Sequence, residues 1–500
     1  MTPPLSRRDF LRLAGLVGAG AAVAGCAPVY SRLGGPAEPA AAESLPALRA
    51  RDWLALNRLT FGPRLAERSR VAETGLGAWI EEQLAPAAID DGAANWRLRQ
   101  FETLSLAPDD LANIGNKLFD NLDKTAVPAE LRQATLMRQV YSRQQVYEVM
   151  VEFWSDHFHI SVDKGDCWFL KTVDDREVIR PHALGRFRDL LWASAHSPAM
   201  LVYLDNQANL REAPNENYAR ELLELHTLGV DGGYTQADVM ELARALTGWT
   251  VKEKFWRGEF SFNPDFHDPE PKTVLGLRLE PDGQAEAERV LEHLAVHPAT
   301  ARFIAFKLAR RFIADDPPAD LVARAALAFT ATEGDIAAVL RVLLLDGLAG
   351  HDPLAAPKLK RPIHFVASAL RALNAETDAG PALHDYLIRM GQPYFAWPTP
   401  DGYPDVAAPW SGNLMPRWQF ALALARGEIA GTRFELSPAL SEGDPSWVAV
   451  MLSTRILGQP LAPDASASLL ANLRAAGAGA EDLPSILTAG LLASPAFQWR

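Results

Sequence analysis

From Leu48 onward, apolar residues recur three and four positions apart, the spacing that lines one face of an α-helix. In Ala50–Leu59, Trp53, Leu54, Leu56 and Leu59 share a face, and Phe61-Gly62-Pro63 stops the run. The same pattern predicts helices over Asp109–Leu122, Pro128–Ser142 and 144–160; the last is long, mostly apolar, and carries Asp156, His157 and His159 at its C-terminal end. Helical spacing continues through Asp174–Ile179, Phe187–Ala195, Pro198–Leu204 and an acid-rich pair over 215–249. The texture then changes. Phe255–Phe262 and Lys272–Leu279 carry β-formers around a Pro- and Asp-rich turn, which predicts a small hairpin or irregular insertion. Helices resume at Gln284–Ala295, Ala299–Phe312, Leu321–Phe329, Ile336–Leu345 and 361–374, and close the chain from Leu414 to Ala493. The 391–412 loop holds Tyr394, Phe395, Trp397, Tyr403 and Trp410 among its prolines, so it is expected to pack across the helical body. No fixed-period repeat marks a solenoid. The expected fold is mainly α: one large multi-helix domain over residues 48–500 with a small β-hairpin insertion at about 255–279.

The first residues break this pattern and read as an address. A basic start, a short apolar run from Leu13 to Ala24 and small residues before a break define an export signal over residues 1–26. The run is too short for a comfortable transmembrane helix. Ser6-Arg7-Arg8-Asp9-Phe10-Leu11-Arg12 resembles a twin-arginine signal, with Arg12 where lysine is commoner. Val23-Ala24-Gly25-Cys26 resembles a lipoprotein processing box, so Cys26 is the expected site of lipidation. Residues 27–47, rich in Ala, Pro, Gly and Glu, then form a flexible tether. The expected location is the periplasm or cell surface, held to the membrane by the lipid. Export of folded chains raises the prospect of a divalent metal loaded beforehand.

Composition narrows the partners. The chain of 500 residues is 48% hydrophobic and 22% charged, with a net charge of −13. Loss of Arg7, Arg8, Arg12 and Asp9 with the signal takes it to −15. An acidic surface disfavours nucleic acid and broad adhesion to anionic lipid. With Cys26 assigned to lipid, Cys167 is a lone thiol, expected as a small buried side chain rather than a nucleophile.

The candidate chemistry gathers on the 215–229 helix. Asn215 suits the N-cap and Gly229 the C-terminal stop. At about 100° per residue, Asn217, Glu221 and Glu224 fall in one arc beside Arg220, while His226 projects from nearly the opposite side. Two carboxylates and an amide can ligate a hard cation or act as an acid–base pair. The alternative is a structural network in which Glu221 or Glu224 pairs with Arg220, Arg211 or Arg244. The loop Val230-Asp231-Gly232-Gly233-Tyr234-Thr235 matches a calcium loop poorly, because Thr227 and Gly229 occupy ligand places. It reads better as a turn in which Thr235 caps the next helix and Asp238 completes a capping box. His157, His159 and His267 are the candidate metal ligands, and Glu221 and Glu224 the candidate catalytic pair. No zincin motif, nucleophile elbow, phosphate loop or dinucleotide fingerprint is present.

As a set these residues resemble the bacterial family catalogued as domain of unknown function 1800. The resemblance rests on Arg58-Leu-Thr-Phe-Gly62, Phe153-Trp-Ser-Asp-His-Phe158, the run from Asn215 to Thr235, Asp238-Val239 and Ala243-Arg-Ala-Leu-Thr-Gly-Trp249. His267-Asp268, Lys272-Thr-Val-Leu-Gly276, His297–Ala301, Arg361-Pro362, Gly391-Gln-Pro393 and Ser494–Gln498 extend it over nearly everything after the tether; Ala496 stands where an acid is commoner. The resemblance implies no activity and no catalytic residues. Two function classes follow: a non-catalytic envelope module that binds a protein or polymer, and a metal-dependent, hydrolase-like envelope enzyme.

Overall fold

The amphipathic stretches become helices wherever their apolar stripe finds a partner. The computed structural model describes residues 48–115, 123–254, 257–350, 356–475 and 482–500, with Pro46 and Gly479. Residues 1–26, with Arg7, Arg8 and Cys26, and nearly all of the tether lie outside the described residues. The helix at Pro298–Phe312 shows the local logic. Pro298 occupies its first turn, the His297 side chain accepts the Ala299 N–H, and Ala301, Ile304, Ala305, Leu308 and Phe312 are buried along one stripe. That stripe packs on Ala319–Ala331, which packs in turn on Ile336–Gly347. Each fully buried Leu there contributes roughly 1.5–3 kcal/mol of transfer free energy. Leu414–Ala425 and Leu483–Ala493 form a second closely packed pair. Among the described residues, apolar side chains from Ala55 to Phe497 join one large core cluster, and Leu359, Tyr403 and Trp410 form a small second one.

The fold is mainly α, and helix bounds follow the periodicity closely at Ala50–Leu59, Ala126–Tyr141, Gln145–His157 and Phe187–Ala195. Three departures have physical causes. The helix expected over Asp109–Leu122 runs only from Pro108 to Ala112 before a turn at 113–115, and 116–122 lie outside the described residues. A helix at Pro381–Arg389 was not anticipated, because only Leu383 and Leu387 are buried and the apolar stripe is correspondingly thin. Finally, the expected single hairpin is two. Trp249–Val251 pairs with Phe260–Phe262, and Lys272–Val274 with Leu277–Leu279, both antiparallel. The second closes through Leu275 and Gly276, whose φ values of 52° and 78° are those of a tight two-residue turn. A two-residue reversal gives each strand a neighbour at once, so the two β-rich segments do not pair with each other. A further short pair joins Glu376–Thr377 to Thr432–Arg433.

Candidate functional site

The central helix begins as predicted and then widens. The Asn215 side chain accepts the Asn217 N–H at 2.9 Å, and Glu216–Glu221 is α-helical. Leu222–Thr227 is a π-helical turn. Its cause is visible in two bonds: Leu228 N–H donates to the Leu223 carbonyl at 2.8 Å, and the Thr227 hydroxyl donates to the Leu222 carbonyl at 2.6 Å. Such turns are common at functional sites.

The two faces of this helix differ sharply. Glu221 and Glu224 are half-buried, whereas His226 is buried. The arginines expected to neutralise the acids are engaged elsewhere. Arg220 binds Glu216 and Gln236, Arg211 binds Glu212, and Arg244 forks onto Asp268 at 2.7 and 3.1 Å with Glu241 beside it. Instead Tyr234 donates to Glu224 at 2.9 Å. Burial and the charge of Glu224 raise the Glu221 carboxyl above the ordinary range, and Asp401 adds to the rise. Asn217 anchors the same face by donating to the Leu204 carbonyl at 3.2 Å.

The three histidines set out as metal ligands have separate surroundings. His157 donates through Nε2 to the His226 carbonyl at 3.0 Å and lies among Phe153, Trp154, Phe158 and Phe303. His159 donates through Nε2 to the Trp397 carbonyl at 2.9 Å. His267 faces the Thr247 carbonyl at 2.8 Å and Glu286 at 3.0 Å. Burial pushes His159 down to about 4 and His226 down to about 3, so both stay neutral. Among the described residues no group of three or more His, Cys, Asp or Glu side chains is arranged to hold a metal ion. Among those residues the donor set proposed from the sequence is therefore not assembled. Cys167 is buried, and burial drives its thiol up to about 12, which leaves it unreactive.

The turn after the central helix is spent on architecture. Thr235 and Asp238 form a reciprocal capping box, and Asp238 also accepts the Leu275 N–H at 2.6 Å. Asp231 is exposed. Gly232 is required by contact, because a Cβ there would press on Leu228 and the Gly229 carbonyl. The helix that Thr235 caps, Gln236–Ala245, thus carries the second hairpin. Behind it, buried Glu286 accepts from Lys272 at 2.6 Å, from His267, and from the Asp282 and Gly283 amides at 2.9 and 3.1 Å.

Periodicity did not reveal what the 391–412 loop brings to the acid face. Asp401 accepts from the Trp397 indole at 3.0 Å and from Thr399 at 2.5 Å. Its charge reaches Glu221, Tyr203 and Lys307. Lys307 is partly exposed; burial lowers its ammonium to about 8 against the opposing pull of Asp156, Asp405 and Asp401. Asp156, raised by burial, is held by Arg361 at 2.7 Å and lines a narrow cavity with Glu152, His159, Tyr394 and Tyr403. A Cβ on Gly402 would collide with the Asp156 backbone, and its φ is +72°. Gly402→Ala should therefore cost about 2 kcal/mol or more. The check is the denaturation midpoint together with protease cleavage in the 391–412 loop, which should increase.

Comparison with known proteins gives a family and no activity. A family model described as a protein of unknown function, DUF1800, matches residues 54–499 of the chain. No curated protein matches, and no solved structure matches.

Proposed function

Because the chain belongs to the DUF1800 family, whose description carries no activity, we propose a function from its own geometry: a non-catalytic module of the cell envelope that binds a cationic peptide segment on the acid face of its central helix. The observation that carries this reading is the state of Glu221 and Glu224. Both are half-buried, and the arginines nearest in sequence are all paired to other acids. A cationic side chain entering there meets carboxylates already partly stripped of water, where an ion pair is stronger than at an open surface. Asp401 and the Trp397 indole it holds border the same face. Delivery follows from the twin-arginine signal at Arg7 and Arg8, and anchoring from acylation of Cys26. The metal-dependent hydrolase reading lacks an assembled donor set among the described residues.

Glu221→Gln with Glu224→Gln should weaken binding of a lysine-rich peptide by about tenfold to a hundredfold, with the denaturation midpoint nearly unchanged. Calorimetric titration of both chains decides; equal affinities would remove the assignment. Wild-type affinity should also fall on acidification at a pH above the ordinary carboxylate range, because the raised Glu221 must be ionised to bind. Fatty-acid labelling of the wild type and Cys26→Ser tests the anchor independently.

A further inference from the structure

In the interior, Arg500, Arg311, Arg361 and Lys360 all act on His364, and Lys358 and Arg311 both face Asp405. Backbone pairing sets the geometry. Lys358 and Arg500 exchange N–H···O bonds at 2.8 and 2.9 Å, and Lys360 N–H donates to the Gln498 carbonyl at 2.8 Å. Arg500 is 4% exposed, yet among the described residues its Nε and both Nη atoms have no hydrogen-bond partner. Both ring nitrogens of His364, the Nε of Arg311 and the Nε of Arg361 are likewise unpartnered there.

The acids present are already committed. Glu152 is shared by Arg311 and Arg361, with His364 Nε2 at 3.8 Å. Asp156 pairs with Arg361 at 2.7 Å. Asp315 binds Lys358, and Asp405 lies 3.5 Å from Arg311 and 3.7 Å from Lys358. The Lys360 ammonium sits over the Phe497 ring, 3.6 Å from its centroid. Arg500 is the cation whose charge acts on Arg58, Arg311, Lys358, Lys360 and His364 alike. The side chain at the hub of the repulsion is thus the one with all three nitrogens unspent.

We infer that Arg500, with Lys360 and His364, binds a small oxyanion of the phosphate or sulfate class inside the fold. A planar guanidinium fork matches two oxygens of such an anion, and the added negative charge offsets cations that no carboxylate pairs. With walls this buried, the anion is taken up as the chain folds and exchanges slowly.

The full chain should be purified in buffer free of phosphate, sulfate and chloride, desalted and denatured in acid, and the supernatant analysed by ion chromatography. One equivalent of phosphate or sulfate per chain is expected. Inorganic phosphate added to the desalted chain should raise Tm by several degrees more than chloride at equal ionic strength if desalting strips the site. Retained oxyanion or the phosphate-specific rise supports the site, provided that Arg500→Gln abolishes it. Arg500→Lys keeps the charge without the fork, and should retain less anion if the first variant does not fold. No oxyanion in wild type and no phosphate-specific rise overturn the proposal, as does retention of chloride after growth in ordinary medium.

Discussion

Glu152→Ala should lower stability by about 3–5 kcal/mol in equilibrium denaturation, among the largest single-residue effects in the protein. Glu152 is 7% exposed and is the acid that Arg311 and Arg361 share, each arginine being itself almost wholly buried. Burial and the neighbouring cations press both Arg311 and His364 toward their neutral forms. His364 can yield, but a guanidinium keeps its proton in proteins, so Arg311 stays charged whatever its surroundings. Taking away Glu152 leaves that charge in a medium that solvates it poorly. The test is a double-mutant cycle by denaturant unfolding. Arg311→Met in the Glu152→Ala background should restore part of the loss, because both charges then leave together. A Glu152→Ala protein as stable as wild type would mean the knot is solvated and the burial argument fails.

Lys272→Met should cost a similar amount, about 3–5 kcal/mol near neutral pH, and the cost should depend on pH in a defined direction. Lys272 and Glu286 are both buried, and the ammonium also donates to the Asp268 and Glu270 carbonyls at 2.6 and 2.8 Å. Burial alone would raise the Glu286 carboxyl, but Lys272, the Asp282 amide and His267 together bring it below the ordinary glutamate value. A carboxyl lowered by folding contributes stability that is present above its unfolded value, about 4.3, and is lost as pH falls through the lowered folded value. In Lys272→Met the buried carboxylate loses its counter-charge, so it protonates more readily. The gap between variant and wild type should narrow as pH falls from about 7 toward 4. Urea midpoints measured across that range decide; a gap that widens on acidification would contradict the assignment of Lys272 as the counter-charge.

These effects show where periodic reading works and where it stops. The mainly helical architecture was legible because each helix buries one stripe, and stripes are written at fixed spacing along the chain. The Asn215 and Thr235 caps were legible for a related reason: a cap joins a side chain to an amide two or three residues away. The division of the central helix into an acidic face and a histidine face also came through, since it too is a matter of angle along one axis. Local spacing could not show the π turn at Leu222–Thr227, which depends on Thr227 bonding back five residues. Nor could it show that the insertion closes as two hairpins, a choice made by a two-residue turn at Leu275-Gly276.

The candidate sites divide along the same line. Arg220, Arg211 and Arg244 stand close to the acids in sequence, yet folding gives them to Glu216, Glu212 and Asp268. His157 and His267 belong to one motif set but occupy different surroundings, because one ends a core helix and the other backs the hairpin region. Asp401 reaches the acid face, and Arg500 reaches His364, across separations with no period at all. Helices, caps and faces were readable because the interactions behind them act within a few residues. Which carboxylate meets which cation, and which buried nitrogens go without a partner, depends on distances that exist only after the chain has closed on itself.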